Sequence, residues 1–167
     1  MEVTSGFDGP YLSPFKTVVQ QVEDKWIDYN GHMNVAYYTL AFDRAIDEFL
    51  EDILGIGPSF VKAANQGPYS LQANYNYLEE LRLNENFFTL VYMVDADEKR
   101  IHLILEMVKT SCHSIVATCE SLYINVDLEL RKAAPYPSWA YNRIHAFKKS
   151  CREKPLPKQF QKGIKIR

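Results

Sequence analysis

Apolar positions change period more than once along this chain. Residues 15–23, FKTVVQQVE, predict a strand. From residue 34 the spacing lengthens. Val35, Tyr38, Phe42, Ile46, Phe49 and Ile53 recur every three or four positions, marking one apolar face of a helix over about 34–54. Asn34 supplies an N-cap oxygen and Gly55 a natural residue just past the C-terminal end. Residues 55–68 predict a connection with a short helical turn. Then a period of two returns. Tyr69, Leu71, Tyr75, Tyr77 and Leu81 are all odd-numbered, predicting a strand over 69–82. Aromatic and β-branched runs predict further strands over 87–95, 100–110 and 115–126. The turns between these last three are short, which makes an antiparallel meander.

Strand, long helix, then four strands is an α+β order. A long helix with one continuous apolar face needs a broad surface to lie on, and a sheet curved around it serves. Two prolines in 133–139, AAPYPSW, end the sheet, and residues 138–149 predict a short helix. The organisation expected is a lead-in over 1–14, one domain over 15–135 and an extension over 136–167 with a basic tail.

Composition narrows the function classes. The chain has 167 residues, enough for one domain with a real core. Its net charge of −2 gives no reason to expect a nucleic-acid partner. Residues 148–167 carry eight Lys or Arg against Glu153 alone, which reads as a solvated tail or a phosphate-meeting patch. Cys112, Cys119 and Cys151 lack metal-ligand spacing, so free thiols in a reducing cytoplasm are expected and no metal. No window is long and apolar enough for a bilayer span, and MEVTSGFDGP does not read as a signal peptide. His102 falls opposite the apolar positions of its strand, where exposure or an interface is expected. There is no G-x-S-x-G and no G-x-G-x-x-G.

The chemistry concentrates in DYNGHMN, residues 28–34, just before the long helix. A helix start offers unpaired N–H groups and partial positive charge, which polarise a carbonyl oxygen as it becomes an oxyanion. A nearby carboxylate, Asp28, could attack that carbonyl or deprotonate a water. Asn30, His32 and Asn34 could orient water or donate to developing charge. Loop preference accounts for Asp, Asn and Gly here, and capping accounts for Asn34, but neither calls for the imidazole.

WIDYNGHMNVAYY, residues 26–38, resembles the signature of the hotdog-fold acyl-CoA thioesterases of the 4-hydroxybenzoyl-CoA thioesterase group. Asp28 and Tyr38 match its aspartate and its tyrosine one helical turn in. Asp28, Asn30, His32 and Asn34 also match the D-x-N-x-H-x-N motif of acyl-ACP thioesterases. A narrower resemblance, carried by residues 26–50, DADEKRIH at 95–102 and RKAAPYP at 131–137, is to the betainyl-CoA thioesterases of carnitine breakdown. The resemblance implies a hotdog fold, an antiparallel sheet wrapped around one long central helix. It implies hydrolysis of a small acyl-CoA, betainyl-CoA first, without metal or redox cofactor, coenzyme A being part of the substrate. It assigns Asp28 as nucleophile or general base, Asn30 and His32 as hydrogen-bonding helpers, and the Val35 amide as oxyanion donor. Glu80, three residues after Tyr77, matches a second acidic position; a solvated strand end is the other reading. Asn34 and Arg131 are candidate substrate contacts, Arg131 for the phosphates of coenzyme A. A homodimer is implied, with stacking into tetramers left open. A non-catalytic acyl-CoA-binding module, or a thioesterase for other short or aromatic acyl groups, remains the alternative.

Overall fold

The computed structural model describes residues 5–152, 155–158 and 160. Seven strands form one sheet in which every pair is antiparallel. β1 (Phe15–Lys16) and β2 (Gln20–Gln21) lie on one edge of β4 (Asn86–Ala96). Then come β5 (Arg100–Lys109), β6 (Ile115–Asp127) and, at the far edge, β3 (Gln66–Tyr77), with the short β7 (Lys132–Ala133) pairing β6. The long helix α1 (Val35–Glu48) lies in the curl of this sheet. It buries Tyr38, Ala41, Phe42, Ala45 and Ile46. Against them stand Val91, Met93, Ile101, Leu103, Leu105, Met107 and Cys119. Phe42 is fully enclosed, so its truncation to Ala would cost about 3–5 kcal/mol. The α+β architecture is the one the apolar periodicity implied.

The end of α1 widens. Residues Phe49–Leu54 form a π-helical turn that keeps Phe49, Leu50 and Leu54 buried. Gly55 closes it at φ 72°, where a Cβ would stand 2.4 Å from the Ser5 carbonyl oxygen. Only glycine fits there. The expected helical turn is α2 (Pro58–Ala64), with Pro58 at its start and Asn65 left-handed at its end. α3 (Ser138–Cys151) packs Phe147 on Phe49 with ring centroids 4.8 Å apart. Its buried Arg143 bonds Asp8 at 2.7 Å and the carbonyls of Ser5 and Leu54.

Three expectations need correction. The strand over 15–23 is two short pieces. Between them Thr17 turns its hydroxyl on the ladder, accepting the Thr89 N–H at 2.9 Å, and the Val18 N–H goes to Glu48 instead. The strand over 69–82 runs from Gln66 to Tyr77, with a bulge between Ser70 and Gln72, and leaves the sheet at Leu78. His102 is neither exposed nor free. It is 2 % exposed, and its Nε2 lies 2.9 Å from Glu120 Oε1 across the strand pair. The outer face of the sheet is buried at its centre, at Tyr92, Ile104, Glu106, Thr118 and Glu120. Tyr92 donates to Glu106 there at 2.9 Å. The C-terminal segment reaches this face, bringing the Phe160 ring 6.0 Å from that of His102. Of the basic tail, residues 153–154, 159 and 161–167 lie outside the described residues, as do 1–4 of the lead-in.

Candidate active site

The motif is a hairpin loop clamped to the start of α1. Ile27 and Met33 face each other as an isolated antiparallel bridge. Between them the Asp28 N–H donates to the His32 carbonyl at 3.1 Å and the Gly31 N–H to the Asp28 carbonyl at 3.0 Å. Gly31 takes φ 78°, the left-handed residue that a three-residue hairpin loop needs. The Met33 N–H donates to Leu81 at 2.7 Å and the Asn34 N–H to Trp26 at 2.8 Å, fixing where the loop enters the helix. Trp26 is buried and stacked on Tyr37, with centroids 5.5 Å apart.

Within this frame Asp28 is half-buried and doubly held. Its Oδ1 accepts the Asn30 N–H at 2.8 Å, and its Oδ2 accepts the Asn34 side-chain amide at 3.3 Å. The other end of Asn34 caps the helix, Oδ1 accepting the Ala36 N–H at 2.9 Å. One side chain therefore ties the carboxylate to the helix start. The Val35 N–H has no acceptor among the described residues. The first turn of α1 carries no acid of its own, so its partial positive charge is open to a ligand.

A cleft of about 370 Å³ opens at this point, lined by His32, Met33, Val35, Tyr38, Tyr77, Leu78, Glu79 and Glu80. The segment after β3 forms its far wall. Leu78 and Glu79 both donate their N–H groups to the Val116 carbonyl, and the chain then crosses the helix mouth. Tyr38 holds it there. Its hydroxyl accepts the buried Leu81 N–H at 3.0 Å and donates to the Glu79 carbonyl at 3.4 Å. Burial raises the Tyr38 phenol above its ordinary range, with the Leu81 hydrogen bond opposing, so it stays a proton donor. Lys109 braces the same wall, donating to the Glu80 carbonyl at 3.3 Å and pairing Glu85 at 3.0 Å. His32 Nδ1 lies 3.1 Å from the Met33 carbonyl, which can only accept, so Nδ1 carries a proton, and in the neutral imidazole Nε2 is the acceptor.

The sequence candidates fall into three groups. His32, the Val35 amide and Glu80 come together at the cleft. Glu80 is off the strand, so the alternation that left its side undecided does not apply; its carboxylate is held by Arg82. Asp28 and Asn34 stand beside the cleft and not on its wall, and Asn30 is exposed in the hairpin loop. Arg131 is not brought to the cleft within one chain. It turns at φ 55°, with NH1 3.5 Å from the Tyr69 hydroxyl. β3 starts opposite Asp127 and ends opposite Ala117, so Arg131 and the cleft lie at opposite ends of a strand roughly 35 Å long. Sequence reasoning missed Met33, Leu78 and Glu79 as wall residues, and Tyr77 as more than part of the pattern around Glu80. The signal was present, since an aromatic at the end of an alternating strand next to two acids has no core to fill.

The described residues hold no group of three His, Cys, Asp or Glu placed for a metal. Cys112, Cys119 and Cys151 are free thiols, and burial pushes the Cys119 thiol up to about 12. No helix among the described residues is long and apolar enough to cross a membrane.

A helix cradled by an antiparallel sheet, with its positive end open on a cleft, puts the molecule in the hotdog class. Comparison with known proteins makes this specific. The model of the thioesterase-like superfamily matches residues 22–144, and the chain belongs to that superfamily. Betainyl-CoA thioesterase of Pseudomonas aeruginosa is 26 % identical over 133 residues, 80 % of this chain and 83 % of that protein. L-carnitine dehydrogenase/betainyl-CoA thioesterase of Rhizobium meliloti is 29 % identical over 125 residues; the match spans 75 % of this chain and a quarter (25 %) of that longer protein. A Staphylococcus aureus protein solved in complex with CoA superposes with a TM-score of 0.80 at 25 % identity, over 92 % of this chain and 95 % of that one.

Proposed function

We propose that this protein hydrolyses a small acyl-CoA, betainyl-CoA before others, to the free acid and coenzyme A. The observation that carries this is the Val35 N–H, without an acceptor among the described residues, on a cleft beside a held carboxylate. A thioester oxygen seated at that N–H gains charge as the carbonyl carbon becomes tetrahedral, and the helix end stabilises it. Asp28 serves as general base. Its two hydrogen bonds and its place beside the wall favour removal of a proton from a water over direct attack by the carboxylate. The His32 Nε2 acceptor and the Asn30 amide orient that water, Asn34 holds Asp28, and Glu80 sits across the cleft as the second carboxylate. The tetrahedral intermediate then collapses, breaking the C–S bond and releasing the thiolate. The step uses no metal or redox cofactor.

The substrate preference is supported by the relatives named for betainyl-CoA. A homodimer completes the reading. β3 has twelve residues and no strand of the described chain on its outer edge, and Tyr69, Leu71 and Tyr77 along it are exposed. A bare edge of that length invites a partner. Antiparallel pairing with a second copy sets the Gln66 end of one β3 beside the Tyr77 end of the other, which is how Arg131 would reach the phosphates of coenzyme A. Three free thiols fit a reducing compartment, the cytoplasm.

Release of coenzyme A, followed with a thiol reagent across an acyl-CoA panel, tests the proposal. Asp28→Asn should lower kcat by about 10²–10⁴-fold while coenzyme A still binds. Labelled oxygen from water should enter the product acid and not the Asp28 carboxylate in a single turnover. Absence of release from every acyl-CoA would make the protein a binding module instead.

A further inference from the structure

The far wall of the cleft has a chemistry that bare thioester hydrolysis does not need. Tyr77 is 48 % exposed at the end of β3, yet its ring is held from two sides. Tyr38 meets it edge-on, with centroids 5.4 Å apart and planes at 73°. Tyr75 lies parallel to it, with planes 9° apart and centroids at 6.5 Å. Ordering that ring around a ligand therefore costs little further entropy. Beside it are two carboxylates in different states. Glu80 is neutralised by the Arg82 guanidinium. Glu79 accepts the Ser114 hydroxyl at 2.8 Å and has no Lys or Arg partner among the described residues.

An aromatic face beside an unneutralised carboxylate attracts a bulky, weakly hydrated cation. We propose that Tyr77 and Glu79 form an acyl subsite that selects a compact quaternary ammonium group over its uncharged isostere. This rests on the thioester carbonyl lying at the Val35 N–H. Val35, Tyr77 and Glu79 line the same cleft. The Glu79 carbonyl is bonded to Tyr38, which is in the first turn of α1, so the wall and the helix mouth face each other across one side chain. In a betainyl group one methylene separates the carbonyl carbon from the nitrogen. Cation recognition must then happen at the same cleft as the chemistry, and this wall is what the cleft offers.

The test uses two thioesters of equal shape, betainyl-CoA and tert-butylacetyl-CoA, in which a quaternary carbon replaces the nitrogen. The wild type should favour betainyl-CoA in kcat/KM about tenfold or more. Tyr77→Leu should reduce that ratio about five- to thirty-fold, the range expected for losing a partly desolvated cation–π contact. Tyr77→Phe, which keeps the aromatic face, should restore it. Glu79→Gln should reduce it independently. Equal use of both substrates by the wild type, or an unchanged ratio in Tyr77→Leu and Glu79→Gln, overturns the subsite while leaving the hydrolase. If neither thioester is cleaved, hydrolysis of betainyl-CoA falls while the wider acyl-CoA panel decides the hydrolase reading, and calorimetry with the corresponding uncleavable thioethers decides the subsite. Tighter binding of the cation, lost in Tyr77→Leu, supports it, and equal binding overturns it.

Discussion

Asn34 joins two tasks that can be separated by substitution. Its Oδ1 caps α1 through Ala36, and its Nδ2 holds the Asp28 carboxylate. Asn34→Ala removes both. Loss of an N-cap costs about 1 kcal/mol. For a chain of this size that lowers Tm by roughly 2–4 °C. Asn34→Asp keeps a good cap and the added charge suits the positive helix end, so at a pH where one of the two carboxyls is protonated Tm should stay within about 2 °C of the wild type, while at neutral pH the repulsion between them lowers it. But it replaces the amide donor with a carboxylate facing a carboxylate. Two unit charges about 4 Å apart near a surface repel by up to about 4 kcal/mol before solvent screening. The acid limb of the pH–rate profile should therefore move to higher pH, and kcat at neutral pH should fall at least tenfold. Thermal unfolding and a pH series of coenzyme A release measure the two effects on the same samples. A stable Asn34→Asp with an unmoved acid limb and unchanged kcat would refute the view that a tethered Asp28 does the chemistry.

Tyr38→Phe leaves the buried Leu81 N–H without its acceptor, a loss of about 1–3 kcal/mol, and frees the far wall; kcat/KM should fall more than Tm alone explains, read by kinetics beside thermal unfolding. Glu106 is buried on the outer face and burial raises its carboxyl above the usual range, with the Tyr92 hydrogen bond opposing. Because the folded state then holds the proton more tightly, stability falls as pH rises from the unfolded value near 4.5 through the raised one. Glu106→Gln should remove that slope, raising Tm at pH 7 and changing little below about pH 4, as denaturation curves at both pH values will check. Tyr69→Lys with Leu71→Lys on the exposed β3 edge should halve the mass seen by light scattering and cut hydrolysis, with little change in the chain's own folding since both sites are exposed.

Local signals made much of this fold readable. The step of three and four from Val35 to Ile53, a capping asparagine and a closing glycine mark the long helix and its end. β4 to β6 follow the aromatic and β-branched runs closely. The failures share a cause, which is contact between residues far apart in sequence. Thr17 breaks the first strand by bonding Thr89, seventy-two positions away. β3 ends where the chain must bend over the helix mouth, and nothing in NYLEEL states where that mouth is. Alternation of His102, Ile104 and Glu106 with apolar neighbours reads as a wet face, because the segment that reaches it begins some fifty residues later. At the site, DYNGHMN marked the loop, whereas its opposite wall came from residues 77–80 through Tyr38, a partner known only in three dimensions.

The π-helical turn at Phe49–Leu54 has a bearing on how this chain can vary. A π turn holds one more residue than an α turn over nearly the same rise, so Leu54 and Gly55 are aimed by segment length as well as by residue type. Substituting Glu51 or Asp52 leaves that aim intact. Deleting one of them lets the turn relax to an α turn, but deleting both would swing the downstream chain by roughly 100° about the axis and pull Gly55 off Ser5 and Arg143. At this one place the spacing of the chain, more than its spelling, is what natural drift has to respect.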